Sequence, residues 1–242
     1  MSYKLVINGV AGAGKTSLLA TLGEETFVVS RDSKEFSLEL PHVLVDTYTD
    51  MATLINLIVE KIESYEVRFG AYPTNVVIDS VSQITMDVID KASQTPNVYG
   101  SQGAEITKEM AMLTKFIHED LELNGMNVIL LNHVIPEIHE GKATGAYTQF
   151  GQGKFLAKGA FYSTVNEAVT IVSEGLHRAV YTRGLPKQAR TLSTEVPDKY
   201  WVENIVHKDK SKKLKEGEEY FSLKNYTDHL IANTVKSAKW SL

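Results

Sequence analysis

Residues 4–17 read Lys4-Leu5-Val6-Ile7-Asn8-Gly9-Val10-Ala11-Gly12-Ala13-Gly14-Lys15-Thr16-Ser17. From Gly9 to Thr16 this is a complete G-x-x-x-x-G-K-[ST] pattern. A short apolar run leads into it, and a helical run from Thr16 to Leu22 leads out. Glycine and alanine let backbone N–H groups curl around a phosphate, and the start of a helix adds a fixed positive end. Gly9, Ala11, Gly12, Ala13, Gly14, Lys15, Thr16 and Ser17 are therefore the expected cofactor-binding residues, with ATP as the ligand. Lys15 is expected at the surface of the site, reaching the β and γ phosphates. The Thr16 hydroxyl is expected to bind Mg²⁺. A dinucleotide fingerprint is excluded, because Ser17 stands where its third glycine belongs.

Working outward, strand and helix patterns alternate. Thr26 to Ser30 and His42 to Asp46 read as strands. Leu54, Ile55, Ile58, Ile62, Tyr65 and Phe69 recur at helical spacing. Val76-Val77-Ile78 runs into Asp79 as a fully buried strand. Ile106, Met110, Leu113, Ile117 and Leu121 predict a second amphipathic helix, and Val128 to Leu131 another buried strand. Continuous apolar strands separated by helices imply an α/β fold with a mainly parallel central sheet and helices on both faces. Ala168 to Val172 and Arg178 to Thr182, joined across Gly175, predict a C-terminal β-hairpin edge. Pro136 to Lys154 carries glycines and few aliphatics, so it reads as a long loop. Phe155 to Asn166 reads as a helix. Residues 1–205 form the expected core. Residues 206–242 form a Lys-rich tail, solvated from Lys208 to Lys215, with a short helix near Tyr226 to Val235.

Asp79 closes its strand where a phosphate-loop enzyme needs a carboxylate to orient the metal's water shell. No N-K-x-D or T-K-x-D pattern accompanies it, which disfavours a guanine reader. The 242 residues are 43% hydrophobic and 23% charged, so the chain is globular rather than disordered. There are no cysteines, which excludes disulfides, zinc fingers and thiol nucleophiles. A net charge of −5 leaves any nucleic-acid contact to a local patch or loop. No apolar run is long enough to span a membrane. The N-terminus lacks a signal-peptide layout, and the expected location is cytoplasmic. His118, His133 and His139 match no metal-ligand spacing.

At Val77-Ile78-Asp79-Ser80-Val81 the chain resembles the RecA superfamily of P-loop ATPases, whose second nucleotide motif commonly reads V-D-S-V. Val128 to His133 resembles that family's strand ending in Asn-Gln, the polar pair that senses the γ-phosphate. The resemblance spans about Lys4 to Thr182. In size and layout it is nearest to the compact phage ATPases of the Sak type, which act in single-strand annealing or recombination. It implies a RecA-like P-loop NTPase fold and a Mg²⁺-dependent ATPase stimulated by single-stranded DNA. It also implies a homo-oligomer, ring or filament, with a single-strand binding protein as a further partner and the host cytoplasm as location if the source is a phage. The pattern begins at Gly9, so the polymerisation segment of bacterial RecA is expected to be missing. His133 replaces the family's Gln; a neutral imidazole still donates one hydrogen bond, with a dependence on pH. Asp32 occupies the place of the water-orienting glutamate, with Glu35 as the alternative. Lys187 and Arg190 loosely resemble the Lys-x-Arg pair supplied by a neighbouring subunit, and Arg178 and Arg183 are further candidates. Such a cation is worth about 10³–10⁵ in rate. The Pro136 to Lys154 stretch falls where RecA carries its second DNA-binding loop. Tyr147 and Phe150 offer faces for stacking unpaired bases, and Lys142 and Lys154 could meet phosphates.

Two other functions fit a phosphate loop. A small-molecule kinase needs an arginine-rich lid, and Pro136 to Lys154 contains no arginine. A non-hydrolysing switch would bind ATP and a protein partner without turnover.

Overall fold

The computed structural model describes residues 2–31, 39–96, 100–140, 142–149, 165–183, 189, 191, 193–204 and 207–238. Six strands make up the parallel part of the sheet: β1 (Lys4–Gly9), β2 (Thr26–Ser30), β3 (His42–Leu44), β4 (Asn75–Asp79), β5 (Asn127–His139) and β7 (Glu167–Glu174). They lie in the order β3-β2-β4-β5-β1-β7, and every neighbouring pair is parallel. The apolar runs of β1, β2 and β4 are buried along their whole length, as strands covered on both faces must be.

Side chains alternate between two cores. Val6, Val29, Ile78, Val128 and Leu130 point to one face. Three helices cover it: α2 (Met51–Phe69), α3 (Val81–Ser93) and α4 (Ser101–Lys115), the last running on as a π-helical turn, Phe116–Glu122. Their buried stripes, such as Leu54, Ile58 and Ile62 of α2, sit three or four residues apart. Leu5, Ile7, Val28, Val77, Ile129 and Leu131 point to the other face. There they meet Leu18 of α1 (Lys15–Leu18), Leu19 and Leu22 just beyond it, and a terminal helix, α5 (Leu223–Ala238). The α/β reading therefore holds, with helices on both faces. Among the described residues no helix is long and apolar enough to cross a membrane.

The sheet differs from the expectation at two places. The hairpin of β7 with β8 (His177–Tyr181) forms as expected, but β9 (Lys199–Trp201) adds to it and becomes the edge. Pro136 to Gln149 is not a structureless loop. β5 runs on to His139 and turns back as β6 (Lys142–Gln149), giving an antiparallel ribbon with a bulge between Pro136 and Ile138. The alternation Val134, Pro136, Ile138 supplies the strand period, and the scarcity of aliphatics disguises it. The helix expected over Phe155 to Asn166 lies almost entirely outside the described residues.

The tail is less solvated than its lysines suggest. Phe221, Leu223, Tyr226 and Leu230 are buried in the second core. Burial, with Glu167 beside it, pushes the Tyr226 hydroxyl above the ordinary tyrosine range. Lys212 pairs with Glu218 at 2.5 Å and lies 4.0 Å over the Trp201 ring. Lys212 and the Lys215 backbone N–H hold the Glu218 carboxyl down, to about 2.

Candidate nucleotide-binding site

The loop after β1 closes on itself, with Ala13 N–H donating to Val10 O at 3.1 Å. Two of its glycines have left-handed backbones, Gly12 with φ 74° and Gly14 with φ 90°. A side chain at either would be strained, which is why the pattern needs glycine there. A methyl group built on Gly12 would touch nothing within 4 Å, so the loop's mouth is open on that side. Gly9 is needed for a different reason. A methyl there would lie 3.1 Å from Ala13 Cβ and 3.3 Å from Lys15 Cγ.

Lys15 is buried rather than at the surface, with only 5% of it exposed. Its ammonium folds back over its own loop, donating to Gly9 O at 2.8 Å and Val10 O at 3.1 Å. His133 Nδ1 lies 3.2 Å away. A buried ammonium needs acceptors, because a buried charge left unsolvated costs several kcal/mol, roughly, and these two carbonyls supply part of them. The position therefore already holds the charge that a phosphate would meet.

Thr16 Oγ1 donates to Asp79 Oδ2 at 2.7 Å. Asp79 is 4% exposed. A hydroxyl and a carboxylate oxygen, brought together beside a phosphate cradle, are the hard oxygen donors that Mg²⁺ takes along with water and phosphate. The residues present fit ATP and Mg²⁺.

β5 lies between β1 and β4, and its register sets Asn132 opposite Asn8 and His133 opposite Gly9. A buried polar chain runs through this end of the sheet. His133 N–H donates to Ser82 Oγ at 2.7 Å. Ser82 donates to Asn132 Oδ1 at 2.8 Å, and Asn132 Nδ2 to Asn8 Oδ1 at 2.9 Å. Asn8 Nδ2 and Thr170 Oγ1, on paired positions of β1 and β7, are buried without a hydrogen-bond partner among the described residues. Replacing Ser82 with alanine removes the acceptor of the His133 N–H and the donor to the Asn132 carbonyl. The expected cost is about 1–3 kcal/mol. A lower urea midpoint with an unchanged slope checks it, and an unchanged midpoint contradicts it.

The structure thus brings together the eight loop residues, Asp79 and His133. Asp32, Glu35, Lys187, Arg190, Phe150 and Lys154 lie outside the described residues. Lys142 and Tyr147 fall on β6, across from His139 and Pro136. Arg183 is tied to Asp198 Oδ1 at 2.7 Å and to the Ser193 carbonyl. Asn8 and Ser82 escape a sequence reading. Each had a signal: Asn8 is the polar residue closing an apolar strand, and Ser82 lies inside the Ser80-x-x-Gln83 box that opens α3.

No curated protein matches the chain. A family model described as AAA domain matches residues 1–200, which takes in the phosphate loop, Asp79, His133 and the β7–β8 hairpin. With a lysine-bearing glycine loop on a parallel sheet and a hydroxyl–carboxylate pair beside it, the chain belongs to the AAA domain family of nucleotide-binding P-loop ATPases.

Proposed function

We propose that this chain is a Mg²⁺-dependent ATPase whose turnover is driven by single-stranded DNA, acting as a homo-oligomer in annealing or recombination of the phage type. One observation carries the reading. β5 is a single strand from the sheet's centre to His139, so the Asn132-His133 pair beside Lys15 and the ribbon beyond belong to one continuous element. A ligand on the ribbon and a phosphate at the cradle would both act on that element, which is the physical requirement for coupling.

Mg²⁺ would be held by Thr16 and Asp79 and would neutralise charge developing on the phosphates. The loop amides and Lys15 bind and orient the phosphate chain, and in-line geometry accounts for much of the rate. Asp32 is proposed to orient the attacking water. His133 is proposed to report occupancy, and Lys187 or Arg190 to complete a neighbouring subunit's site. Lys142, Tyr147, Phe150 and Lys154 are proposed to meet DNA. An aromatic stacked on a base is worth about 1–3 kcal/mol. A single-strand binding protein is a proposed further partner.

The test is ATP turnover across a titration of single-stranded DNA at low salt, alongside mass by light scattering. The expected result is a rise in turnover with DNA, and loss of that rise in Asn132→Ala with ATP binding retained. A flat rate across the titration removes the DNA role. Phosphate appearing on a metabolite would instead identify a kinase, and ATP binding without turnover a switch.

A further inference from the structure

Parallel strands are held by their ladder only as far as it runs. β2 pairs with β4 up to Ser30 and Asp79, and with β3 up to Ser30 and Leu44. Just past that line, Arg31 joins the three chains. Its N–H donates to the Asp79 carbonyl at 2.6 Å. Its Nε donates to Asp87 Oδ2 at 2.7 Å and its Nη2 to Asp87 Oδ1 at 3.4 Å, a forked ion pair with α3. Its Nη1 donates to Val45 O at 2.8 Å and to Asp46 O at 2.7 Å, where the chain has just left β3. Both charged side chains are largely enclosed, with 19% of Arg31 and 13% of Asp87 exposed. An exposed pair would be screened and worth little, whereas an enclosed, forked one is costly to break.

The clamp closes on the place where Asp79 stands. Asp79 is the last residue of β4, and the chain turns at once into α3, which the Ser80 side chain caps. Asp79 thus occupies a corner between a strand and a helix. Arg31 grips both arms of it, the strand end through its N–H and the helix through its guanidinium. Thr16 belongs to the other half of the sheet, because β5 lies between β4 and β1. The separation at which Thr16 and Asp79 would share an ion therefore depends on where the corner is held. One planar group reaches a carboxylate and two carbonyls together, which a single ammonium does not match.

We propose that Arg31 is a positioning residue for metal-dependent nucleotide binding, fixing through Asp87, Val45 and Asp46 the corner from which Asp79 would meet Mg²⁺. This rests on the nucleotide reading above and deepens it.

The test compares the wild type, Arg31→Lys, Asp87→Asn and the double variant. A fluorescent ATP analogue is titrated in EDTA and across a Mg²⁺ series, ATP turnover is followed across the same series, and a urea melt reports the folded fraction. Affinity in EDTA is expected to stay at the wild-type value, since the phosphate loop is untouched. In Arg31→Lys the half-maximal Mg²⁺ concentration is expected to rise about three- to tenfold and turnover per folded molecule to fall about 10- to 100-fold, the order of loss produced by a misplacement near 1 Å. Asp87→Asn is expected to act in the same direction by less, and carries the same readouts where Arg31→Lys does not fold. The double variant is expected to be no worse than Arg31→Lys, because the two side chains act as one unit. Variants that melt earlier yet keep the wild-type Mg²⁺ dependence and turnover per folded molecule would make the pair structural only and overturn the proposal. Additive losses in the double variant, or weakened binding already in EDTA, would overturn it as well. A wild-type chain that binds no nucleotide would overturn the nucleotide reading, and this proposal with it.

Discussion

Lys15→Ala is expected to lower ATP turnover on the order of 10³-fold and to abolish detectable binding of an ATP analogue at micromolar concentrations. The magnitude follows from the loss of a positioned cation at the centre of charge development. The geometry adds a second expectation. Lys15 Nζ is held by Gly9 O and Val10 O, and the side chain is almost fully buried. Alanine leaves those two carbonyls to find water, so stability is expected to fall by about 1–2 kcal/mol. Lys15→Met keeps the aliphatic stem against Gly9 and should lose turnover with a smaller loss of stability. Phosphate release and a urea melt on both variants check this. Wild-type turnover in either would mean that the loop does not bind the reacting nucleotide.

Asp79→Asn is expected to lower turnover about 10²- to 10³-fold. Asparagine is nearly isosteric, and its carbonyl can still accept the Thr16 hydroxyl that Asp79 Oδ2 accepts at 2.7 Å. The fold should survive. What is lost is the charge that would attract the proposed divalent ion. The Mg²⁺ concentration for half-maximal rate should therefore move upward by at least about tenfold, with metal-free nucleotide binding retained. A Mg²⁺ dependence identical to the wild type would show that the ion is held elsewhere.

Much of this site was legible in the residues because its requirements are local. The glycine loop, the apolar strand before it and the acid closing β4 each lie within a few residues of one another. Fully buried parallel strands advertise themselves as uninterrupted runs, which is why β1, β2 and β4 were readable. α3 was equally local and still escaped. Ser80 caps it by accepting from the Gln83 N–H at 3.2 Å, and Val81, Ile84, Val88 and Ala92 form its buried stripe. A reading drawn to the acid at Asp79 passes over the helix that begins two residues later. The ribbon after His133 was hidden by composition, since proline, glycine, glutamate and alanine weaken the strand signal without preventing pairing. Neither the fold of Lys15 onto its own carbonyls nor the clamp of Arg31 on Asp87 could be read from spacing. Each depends on long-range register. The Arg31 clamp joins segments brought together only when β2 pairs with both β3 and β4.

β5 has a mechanical consequence. A strand rises roughly 3.3 Å per residue, so the six steps from His133 to His139 reach about 20 Å past the nucleotide end. Such a pointer amplifies. A tilt of only about 5° at its root would carry the far tip by about 2 Å over that length. By thermodynamic reciprocity, whatever grips the tip must then change ATP affinity by the same factor by which ATP changes the grip. The bulge near Pro136 is where such a lever would be softest, so its stiffness there would set how much of the motion survives the journey.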